Sequence, residues 1–271
     1  MYQDKNASRE KGYFAVKTDP EAPYPRICAH RGFRTVAPEN SLAAFASAIA
    51  LGAPEIELDV RFSRDGVPVV AHDSSLERVS NGTGNLEQLT LSELKKLDFG
   101  GKFNTRFAGL PVVLLEEVLE RFARQVIINL HLKTMEKEGD TYPEENMKKI
   151  ISLLEKYDNC RHIYWMGDPS VMACALKMAP EIPRCMGAFP GPWEIIDHAI
   201  EFQCSKAQLF TPYFNKEMIA KAHANGIRCN FFYCDDPEEA RKLFALGIDT
   251  LLTNDYWTIA RSCQDLFPAG E

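Results

Sequence analysis

The sequence predicts an α/β fold, a (β/α)8 TIM barrel in which eight parallel strands form a closed ring surrounded by helices. Short apolar runs alternate with amphipathic segments, a pattern typical of parallel strands joined by crossover helices. Eight such strands fit within 271 residues, a usual length for this barrel. The alternative is a doubly wound open sheet, but the turn after the first strand reads Ala29-His-Arg-Gly-Phe33 and lacks the GxGxxG pattern.

Each predicted strand is a short, largely apolar run. The eight strands are Arg26–His30, Glu55–Arg61, Gln125–Leu132, His162–Met166, Arg184–Ala188, Ala207–Phe210, Ile227–Tyr233 and Asp249–Thr253. The helices predicted between them have apolar residues at helical spacing. They are Ser41–Leu51, Leu115–Arg124, Glu145–Tyr157, Ser170–Met178, Trp193–Phe202, Lys216–Asn225 and Pro237–Leu246.

The connection after the second strand is longer than the others. Asp65-Gly66 favours a tight turn into a short extra strand over Val67–Ala71. Residues 74–111 then interrupt the strand–helix alternation, and we expect an insertion rather than a second domain because the segment is short. The predicted organisation is an N-terminal arm over residues 1–24 and a single barrel domain over residues 25–271.

The composition is that of an ordinary soluble globular protein, with 45% hydrophobic and 25% charged residues. A net charge of −7 argues against a general binder of nucleic acid or of anionic membranes. Apolar runs are shorter than the roughly 20 residues that span a bilayer. The polar N-terminus lacks the apolar region of a secretory signal. We therefore expect a cytoplasmic protein with a small-molecule partner.

Eight cysteines are scattered singly along the chain. A CxxC pair is absent from the sequence, which argues against a structural zinc site. Several cysteines lie inside apolar runs, as Cys28 and Cys229 do. We expect all eight to be free thiols that behave as small buried hydrophobic residues.

Charged side chains share one face of the second strand. Residues two apart in a strand point the same way, so Glu55, Glu57, Asp59 and Arg61 lie together and the apolar residues between them face the helices. Acids inside a barrel need a compensating cation. A divalent metal with oxygen ligands would satisfy both neighbouring carboxylates. Ordinary salt bridges to Arg61 and other basic residues are the alternative.

The third strand has a second polar row, formed by Asn129, His131 and Lys133. These residues approach the strand's C-terminal end, where barrel active sites are built. Lys133 can neutralise a bound anion and His131 can ligate a metal, although a structural, hydrogen-bonded role for His131 is the alternative.

Two further histidines lie at strand ends. His30 ends the first strand and is followed by Arg31, and His72 follows the short extra strand. Two imidazoles can divide proton transfer between an attacking group and a leaving group. The planar guanidinium of Arg31 suits phosphate oxygens. With the metal and the lysine, these residues predict a site for a phosphoester.

These stretches resemble the glycerophosphodiester phosphodiesterase family. The matching stretches are Ala29-His-Arg-Gly32, Pro38-Glu-Asn-Ser41, Ala44-Phe45, Gly52-Ala-Pro-Glu-Ile-Glu-Leu-Asp-Val60, Asp65-Gly-Val-Pro-Val-Val-Ala-His-Asp73 and Leu86 through Leu97. The match is dense from Ile27 to Leu119 and looser as far as Leu252-Thr253-Asn254. The HRG, ExD and HD elements are specific in combination.

The resemblance implies a TIM-barrel phosphodiesterase that cleaves glycerophosphodiesters to glycerol 3-phosphate and an alcohol. By similarity, His30 and His72 would be the general acid–base pair. Glu57 and Asp59 would be metal ligands. Arg31 and Lys133 would contact the phosphate. Glu39 matches a family position close to the site, where it would orient or bind a group. The family resembles phosphatidylinositol-specific phospholipases in chemistry, which implies attack by the glycerol 2-hydroxyl and a cyclic phosphate intermediate.

Two departures from the family pattern affect the site. The usual Glu-x-Lys element, which supplies a third metal-binding glutamate, is here His131-Leu-Lys133. Magnesium or calcium remains the expected ion, and manganese or zinc becomes an option because imidazole nitrogen suits them. In the seventh strand, a Trp-Thr-Val-Asn-like segment becomes Phe232-Tyr-Cys-Asp235, where Phe232 can still supply an apolar wall. Trp165 and Phe189 are candidates for side chains that line the same mouth of the barrel, and ordinary packing is the alternative for both.

Two alternative functions remain. One is a lysophospholipase D-like phosphodiesterase, which an apolar mouth would favour. The other is a non-catalytic phosphodiester-binding protein with a degraded metal site at His131. The paired His30 and His72 argue against the second, because a binding protein needs no acid–base partners.

Overall fold

Eight parallel strands close into a ring in the computed structural model, which describes residues 18–19, 21–134, 141–187 and 191–267. The strands, in chain order, are β1 (Arg26–Ala29), β2 (Glu55–Phe62), β3 (Pro68–Val70), β4 (Val113–Leu114), β5 (Ile127–Leu132), β6 (Ile163–Gly167), β7 (Arg184–Met186), β8 (Lys206–Phe210), β9 (Arg228–Phe232) and β10 (Thr250–Thr253). All but β3 and β4 belong to the ring, which closes where β1 pairs with both β2 and β10. The predicted (β/α)8 barrel is confirmed, and the eight predicted strands are its strands with ends shifted by one or two residues. The last residue of the predicted strand Arg184–Ala188, together with Phe189, lies outside the described residues.

Except for the short second helix, which lies between β3 and β4, the helices connect the ring strands and cover their outer surface. They are α1 (Leu42–Ala50), α2 (Leu91–Leu94), α3 (Leu115–Phe122), α4 (Glu144–Lys156), α5 (Pro169–Met178), α6 (Ile195–Glu201), α7 (Lys216–Ala224), α8 (Pro237–Leu246) and α9 (Tyr256–Ser262). All seven predicted helices form. The sequence prediction missed α2 and α9, which are too short for a helical periodicity to stand out, although Thr90 and Asp255 cap their N-termini.

The main apolar core lies between the ring and its helices. Ile56, Leu58 and Val60 of β2 are fully buried there, as the alternation along the strand predicts. Burying side chains of this size contributes about 1.5–3 kcal/mol each. Trp165 belongs to the same core and is fully buried, so it packs rather than lining the mouth.

The excursion, as we call residues 63–114, lies beside the C-terminal half of β2. Its strand β3, within the predicted Val67–Ala71, pairs antiparallel with β2, and β4 pairs antiparallel with β3. A small apolar cluster of its own supports it: Val69, Ala71, Leu76, Leu86, Leu94 and Val112. The hairpin reverses the chain, so the backbone N–H of Ala71 donates a hydrogen bond to the carbonyl of Asp59 at 3.0 Å. His72, the next residue, therefore lies beside the ring.

The described part of the N-terminal segment packs against the base of the ring, where the strands begin. Asp19 is buried there and pairs with Arg26 of β1 and Lys206 of β8. Residues 1–17 and 20 lie outside the described residues, so the predicted arm over residues 1–24 and the domain boundary after it stay predictions.

All eight cysteines are free, as predicted, and every one except the half-buried Cys160 is buried. Burial raises the pKa of the Cys204 and Cys229 thiols to about 12, which keeps them protonated. Among the helices of the described residues, none combines the length and apolarity needed to cross a bilayer.

Candidate active site

The predicted metal ligands meet at the C-terminal ends of β2 and β5. The two strands pair in parallel with Glu57 beside Asn129 and Asp59 beside His131. His131 Nδ1 lies 3.3 Å from Asp59 Oδ1 and 3.6 Å from Glu57 Oε1. Ligand atoms of Glu57, Asp59 and His131 all lie within 4.8 Å of one another. The structure therefore brings together the three residues that the sequence predicted.

Asp59 is buried among cations. Lys133 Nζ lies 3.0 Å from its Oδ1, and Arg31 Nε lies 3.4 Å from its Oδ2. Burial raises the pKa of a carboxyl group, but the charge of Lys133 and the contact with His131 outweigh burial and hold the pKa of Asp59 well below its ordinary value. Asp59 is therefore ionised.

Asn40 supports the same carboxylate. Its Nδ2 donates to Asp59 Oδ2 at 2.9 Å, and its Oδ1 accepts from the Asp59 backbone N–H at 3.3 Å. The oxygen that faces His131, Asp59 Oδ1, is buried and accepts no hydrogen bond from the described residues.

The donor set fits a divalent cation. Glu57 Oε2 accepts the backbone N–H of Arg31 at 3.0 Å, which leaves Oε1 facing His131. One oxygen of each carboxylate thus converges with an imidazole nitrogen, a mixed oxygen–nitrogen set that suits a divalent metal. The alternative interpretation, that these acids form salt bridges with Arg61, is wrong, because Arg61 pairs with Glu87 at 2.8 Å. Lys133 and Arg31 do pair with Asp59.

A second group of possible metal ligands, His223, Cys229 and Asp249, lies at the base of the ring and is less suited to a cation. His223 Nε2 lies 2.8 Å from Asp249 Oδ2, and the backbone N–H of Cys229 donates to the same oxygen at 2.8 Å. Asp249 Oδ1 accepts from Arg228 at 2.9 Å. Both oxygens of Asp249 accept hydrogen bonds, so this group is a salt-bridge network.

His30 is almost fully buried at the end of β1. Its Nδ1 lies 2.8 Å from Asn254 Oδ1, an acceptor, so Nδ1 carries the proton and Nε2 faces Glu57 Oε2 at 4.0 Å. The Asn254 side chain is itself held by Asp235, whose Oδ2 accepts from Asn254 Nδ2 at 2.6 Å. Burial lowers the pKa of His30, which favours the neutral imidazole.

Two aromatic rings of β9 and its following loop enclose His30. Phe232 meets the imidazole edge-on with ring centroids 5.2 Å apart, and Tyr233 stacks on it at 5.5 Å. Phe232 is therefore part of the wall of the site, as the sequence predicted. Tyr233 was not predicted.

His72 has a different partner. Its Nδ1 lies 2.6 Å from Asp73 Oδ1, and its backbone carbonyl accepts from Arg61 Nε at 2.8 Å. Burial lowers the pKa of His72, while the neighbouring Asp73 carboxylate acts in the opposite direction. Hydrogen bonds from Arg78 and His72 overcome the opposing effect of burial and hold the pKa of Asp73 at about 2.

Glu39 contacts three arginines, Arg31, Arg34 and Arg78. Arg31 NH1 lies 2.9 Å from it, Arg34 NH2 lies 3.2 Å from it, and Arg78 makes two contacts of 2.8 Å. Burial opposes ionisation, but the hydrogen bonds from Arg78 and the charge of Arg31 hold the pKa of Glu39 at about 2.

The backbone around Arg31 explains the HRG element. Arg31 and Gly32 both have positive φ, 56° and 80°, and this turn aims the Arg31 backbone N–H at Glu57. A Cβ at Gly32 would lie 2.7 Å from the Ala44 Cβ, so only glycine fits.

Sequence reasoning missed four supporting residues: Asn40, Asp73, Arg78 and Asn254. Asn40 and Asn254 lie in stretches that resemble the family, and Asp73 follows His72 directly, so the pattern contained them without indicating a role. Arg78 has no such signal, because it lies outside the matching stretches and its contact with Glu39 is set only by folding.

Comparison with known proteins identifies what the chain is similar to. Residues 30–258 match the model of the glycerophosphoryl diester phosphodiesterase family. A glycerophosphodiester phosphodiesterase of Caldanaerobacter subterraneus subsp. tengcongensis is 31% identical over 243 residues, which cover 86% of this chain and 95% of that protein. A Bacillus subtilis glycerophosphodiester phosphodiesterase is 39% identical over 133 residues, 46% of this chain and 44% of that protein.

Solved structures share the barrel. A phosphodiesterase of Oleispira antarctica, solved in complex with the product sn-glycerol-3-phosphate, has a TM-score of 0.79 and 26% identity, covering 89% of this chain and 97% of that one. A glycerophosphodiester phosphodiesterase of Agrobacterium tumefaciens has a TM-score of 0.72 and 27% identity, covering 87% of this chain and 99% of that one. The resemblance read from the sequence motifs is confirmed.

Proposed function

The chain belongs to the glycerophosphoryl diester phosphodiesterase family, and we propose that it hydrolyses glycerophosphodiesters to glycerol 3-phosphate and an alcohol. The observation that supports this most strongly is the meeting of Glu57, Asp59 and His131 at one end of the barrel, with His30 and His72 beside them. The product bound to the Oleispira antarctica phosphodiesterase is the one expected here.

In this proposal, a divalent ion binds to Glu57, Asp59 and His131. When bound, the ion withdraws electron density from the phosphate and stabilises the negative charge that develops on it. Two carboxylates supply two negative charges, so magnesium or calcium is the first expectation. The imidazole of His131 makes manganese or zinc the next candidates.

Arg31 and Lys133 are proposed to bind the phosphate. Both flank Asp59, and Arg31 Nε is buried without a hydrogen-bond acceptor among the described residues. A phosphate oxygen would supply that acceptor. Glu39 is proposed to orient the guanidinium from its other side, through the 2.9 Å contact with NH1.

The two histidines are proposed to divide the proton transfers. The Nδ1–H of His30 donates a hydrogen bond to Asn254 Oδ1. The Nε2 lone pair of His30 is therefore free to accept the proton of the glycerol 2-hydroxyl. The hydroxyl oxygen attacks phosphorus, the bond from phosphorus to the alcohol oxygen breaks, and His72 protonates the leaving alcohol. The Asp73 carboxylate favours the protonated form of His72 that this step needs.

The cyclic phosphate is then proposed to open with the acid and base roles of the two histidines exchanged. His72 takes a proton from water, the water oxygen attacks phosphorus, the bond from phosphorus to the glycerol 2-oxygen breaks, and His30 returns a proton to that oxygen. No protein nucleophile is needed, because the substrate supplies it. A substrate without the adjacent hydroxyl is therefore expected to remain uncleaved.

Release of glycerol 3-phosphate tests the proposal. The protein is stripped with a chelator and assayed on several glycerophosphodiesters with magnesium, calcium, manganese or zinc added back. We expect one or more ions to restore release, His30→Ala and His72→Ala to abolish it, and His198→Ala, on the surface helix α6, to retain it. Folded protein that releases no product with any of the ions would contradict the proposal.

A second candidate substrate class is supported by one cavity. A space of about 210 Å³ beside His72 is lined by apolar side chains of the excursion, among them Phe99, Phe103 and Leu110. Such a wall suits an acyl chain, as in a lysophospholipid. Comparison of kcat/KM for a lysophospholipid and its deacylated glycerophosphodiester distinguishes the two substrate classes.

A further inference from the structure

Arg78 lies in the excursion, away from the strands that carry the proposed site residues. Its guanidinium forms two hydrogen bonds with Glu39, NH1 to Oε2 and NH2 to Oε1, both 2.8 Å long. Its Nε donates to Asp73 Oδ2. Glu39 also accepts from Arg31, and Asp73 holds the Nδ1 of His72 at 2.6 Å. One guanidinium thus contacts both acids that hold proposed site residues.

We infer that Arg78 is a positioning residue for phosphodiester hydrolysis, which orients His72 through Asp73 and Arg31 through Glu39. The inference rests on the proposed function. Arg78 is expected to act through the two carboxylates, because the donors named above are engaged with them, although its side chain also lines the cavity beside His72.

The geometry explains why an arginine is needed. Asp73 uses Oδ1 for His72 and Oδ2 for Arg78, so both oxygens have fixed partners and the carboxylate cannot rotate freely. The planar guanidinium meets Glu39 through two parallel bonds and still has Nε for Asp73. A lysine has a single nitrogen and cannot hold both carboxylates in fixed orientations.

The exposure of Arg78 indicates that it acts by fixing the orientation of the two carboxylates rather than through the field of its charge. Its side chain is 43% exposed, whereas Glu39 is 11% exposed. Water and salt weaken the field of such an exposed charge at the reacting atoms. The three hydrogen bonds still limit the positions that Asp73 and Glu39 can take, and misplacing a catalytic group by about 1 Å can lower a rate about 100-fold.

Arg34 provides a matched control. It pairs with the same Glu39, at 3.2 Å, and no contact with Asp73 is found among the described residues. Arg34→Ala therefore removes a similar charge from the same carboxylate while leaving Asp73 and His72 undisturbed.

The test measures kcat and KM for wild type, Arg78→Ala, Arg78→Lys, Arg34→Ala, Asp73→Asn and the double variant Arg78→Ala/Asp73→Asn. We expect Arg78→Ala to lower kcat about 10- to 100-fold with KM changed less than about 3-fold, and Arg78→Lys to recover little of it. Arg34→Ala is expected to stay within about 3-fold of wild type. In the Asp73→Asn background, the loss caused by Arg78→Ala is expected to shrink to a few-fold, because both changes disrupt the same orientation.

Added guanidinium ion gives a second readout. At tens of millimolar it is expected to restore part of the kcat of Arg78→Ala, and a merely unfolded variant would not respond. Far-ultraviolet circular dichroism and the thermal midpoint check that each variant is folded.

Three outcomes would overturn the inference: a rise in KM with unchanged kcat, a full additive loss in the double variant, or wild-type kcat in Arg78→Ala. Each of these presupposes that wild type releases glycerol 3-phosphate. Wild type without that activity would instead contradict the proposed function, so the two failures are distinguishable.

Discussion

The barrel buries charged side chains at both ends, and the two ends use them differently. At the base, two acids, Asp19 and Glu55, meet two cations. Arg26 NH1 lies 2.5 Å from Asp19 and 3.5 Å from Glu55, and Lys206 Nζ lies 3.2 Å from Asp19. Tyr164 also donates to Glu55. The two acids and the two cations balance in charge, and each of the four is paired.

At the opposite end, the charges also pair with one another, but two of their polar atoms are left without a hydrogen bond in the described part of the chain. Asp59 Oδ1 and Arg31 Nε are buried without hydrogen bonds to the described residues. His131 and His72 are 22% and 32% exposed, so a ligand can reach the cluster from solvent. Glu55 and Asp59 lie on the same face of β2, so under the proposed function their roles depend on position along the strand. We infer that the paired charges at the base stabilise the fold and that the incompletely hydrogen-bonded atoms at the top serve the proposed metal and phosphate.

The largest expected effect comes from Asp59→Asn, which removes one of the two negative charges proposed to hold the ion. We expect kcat/KM to fall by about 1,000-fold or more, a loss of about 4 kcal/mol in transition-state stabilisation. The matched change Glu55→Gln, on the same face of the strand, is expected to leave kcat/KM of the folded enzyme within about 3-fold. Steady-state kinetics at saturating metal measures both.

Glu55→Gln is instead expected to lower the free energy of unfolding. It leaves the cations Arg26 and Lys206 facing one acid, and removing one partner of a buried ion pair costs about 3–5 kcal/mol. Urea unfolding followed by circular dichroism gives the value. A loss below about 1 kcal/mol would mean that the base is not a balanced network.

Asp19→Asn is expected to lower the free energy of unfolding by a similar amount, about 3 kcal/mol, because Asp19 contacts both Arg26 and Lys206 and only Glu55 then remains to neutralise them. Glu21→Gln, two residues along in the same segment, should change the free energy of unfolding by less than about 0.5 kcal/mol, because Glu21 is exposed. Equal effects of the two changes would show that the segment does not dock through Asp19.

The smallest effect concerns pH. The pKa of Glu39 is about 2 in the folded protein, below its unfolded value of about 4.3. The ionised group therefore stabilises the fold above pH 4.3, and this contribution is lost as the pH falls towards 2. Glu39→Gln should make the free energy of unfolding fall less steeply between pH 4 and 2. An unchanged slope would contradict the contacts with the arginines.

Much of the top of the barrel could be predicted from the sequence. The two-residue period of a strand places Glu57 with Asp59 on one face of β2 and His131 with Lys133 on one face of the neighbouring strand. Parallel pairing in register then puts both sets on the same side of the ring. His72 could be identified from its motif, but its approach depends on the β2–β3 hairpin.

The base and the supporting contacts could not be predicted in the same way. Asp19 meets Lys206 only because the ring closes, and nothing in the local pattern of either residue indicates that pairing. Arg78 reaches Glu39 across the fold, although its contact with Asp73, earlier in the same loop, is local. Such contacts depend on tertiary structure, whereas periodicity reports only which face of a strand or helix a residue occupies.

Metal binding followed by thermal unfolding tests the central claim most directly. Chelator-stripped wild type, Asp59→Asn and Glu55→Gln are each heated with and without magnesium, calcium, manganese or zinc. An ion at about 100 times its dissociation constant stabilises the folded state by about 2.7 kcal/mol. We predict that at least one ion raises the thermal midpoint of wild type and of Glu55→Gln, and leaves that of Asp59→Asn unchanged. An equal rise in all three proteins, or no rise in wild type with any ion, would contradict the account.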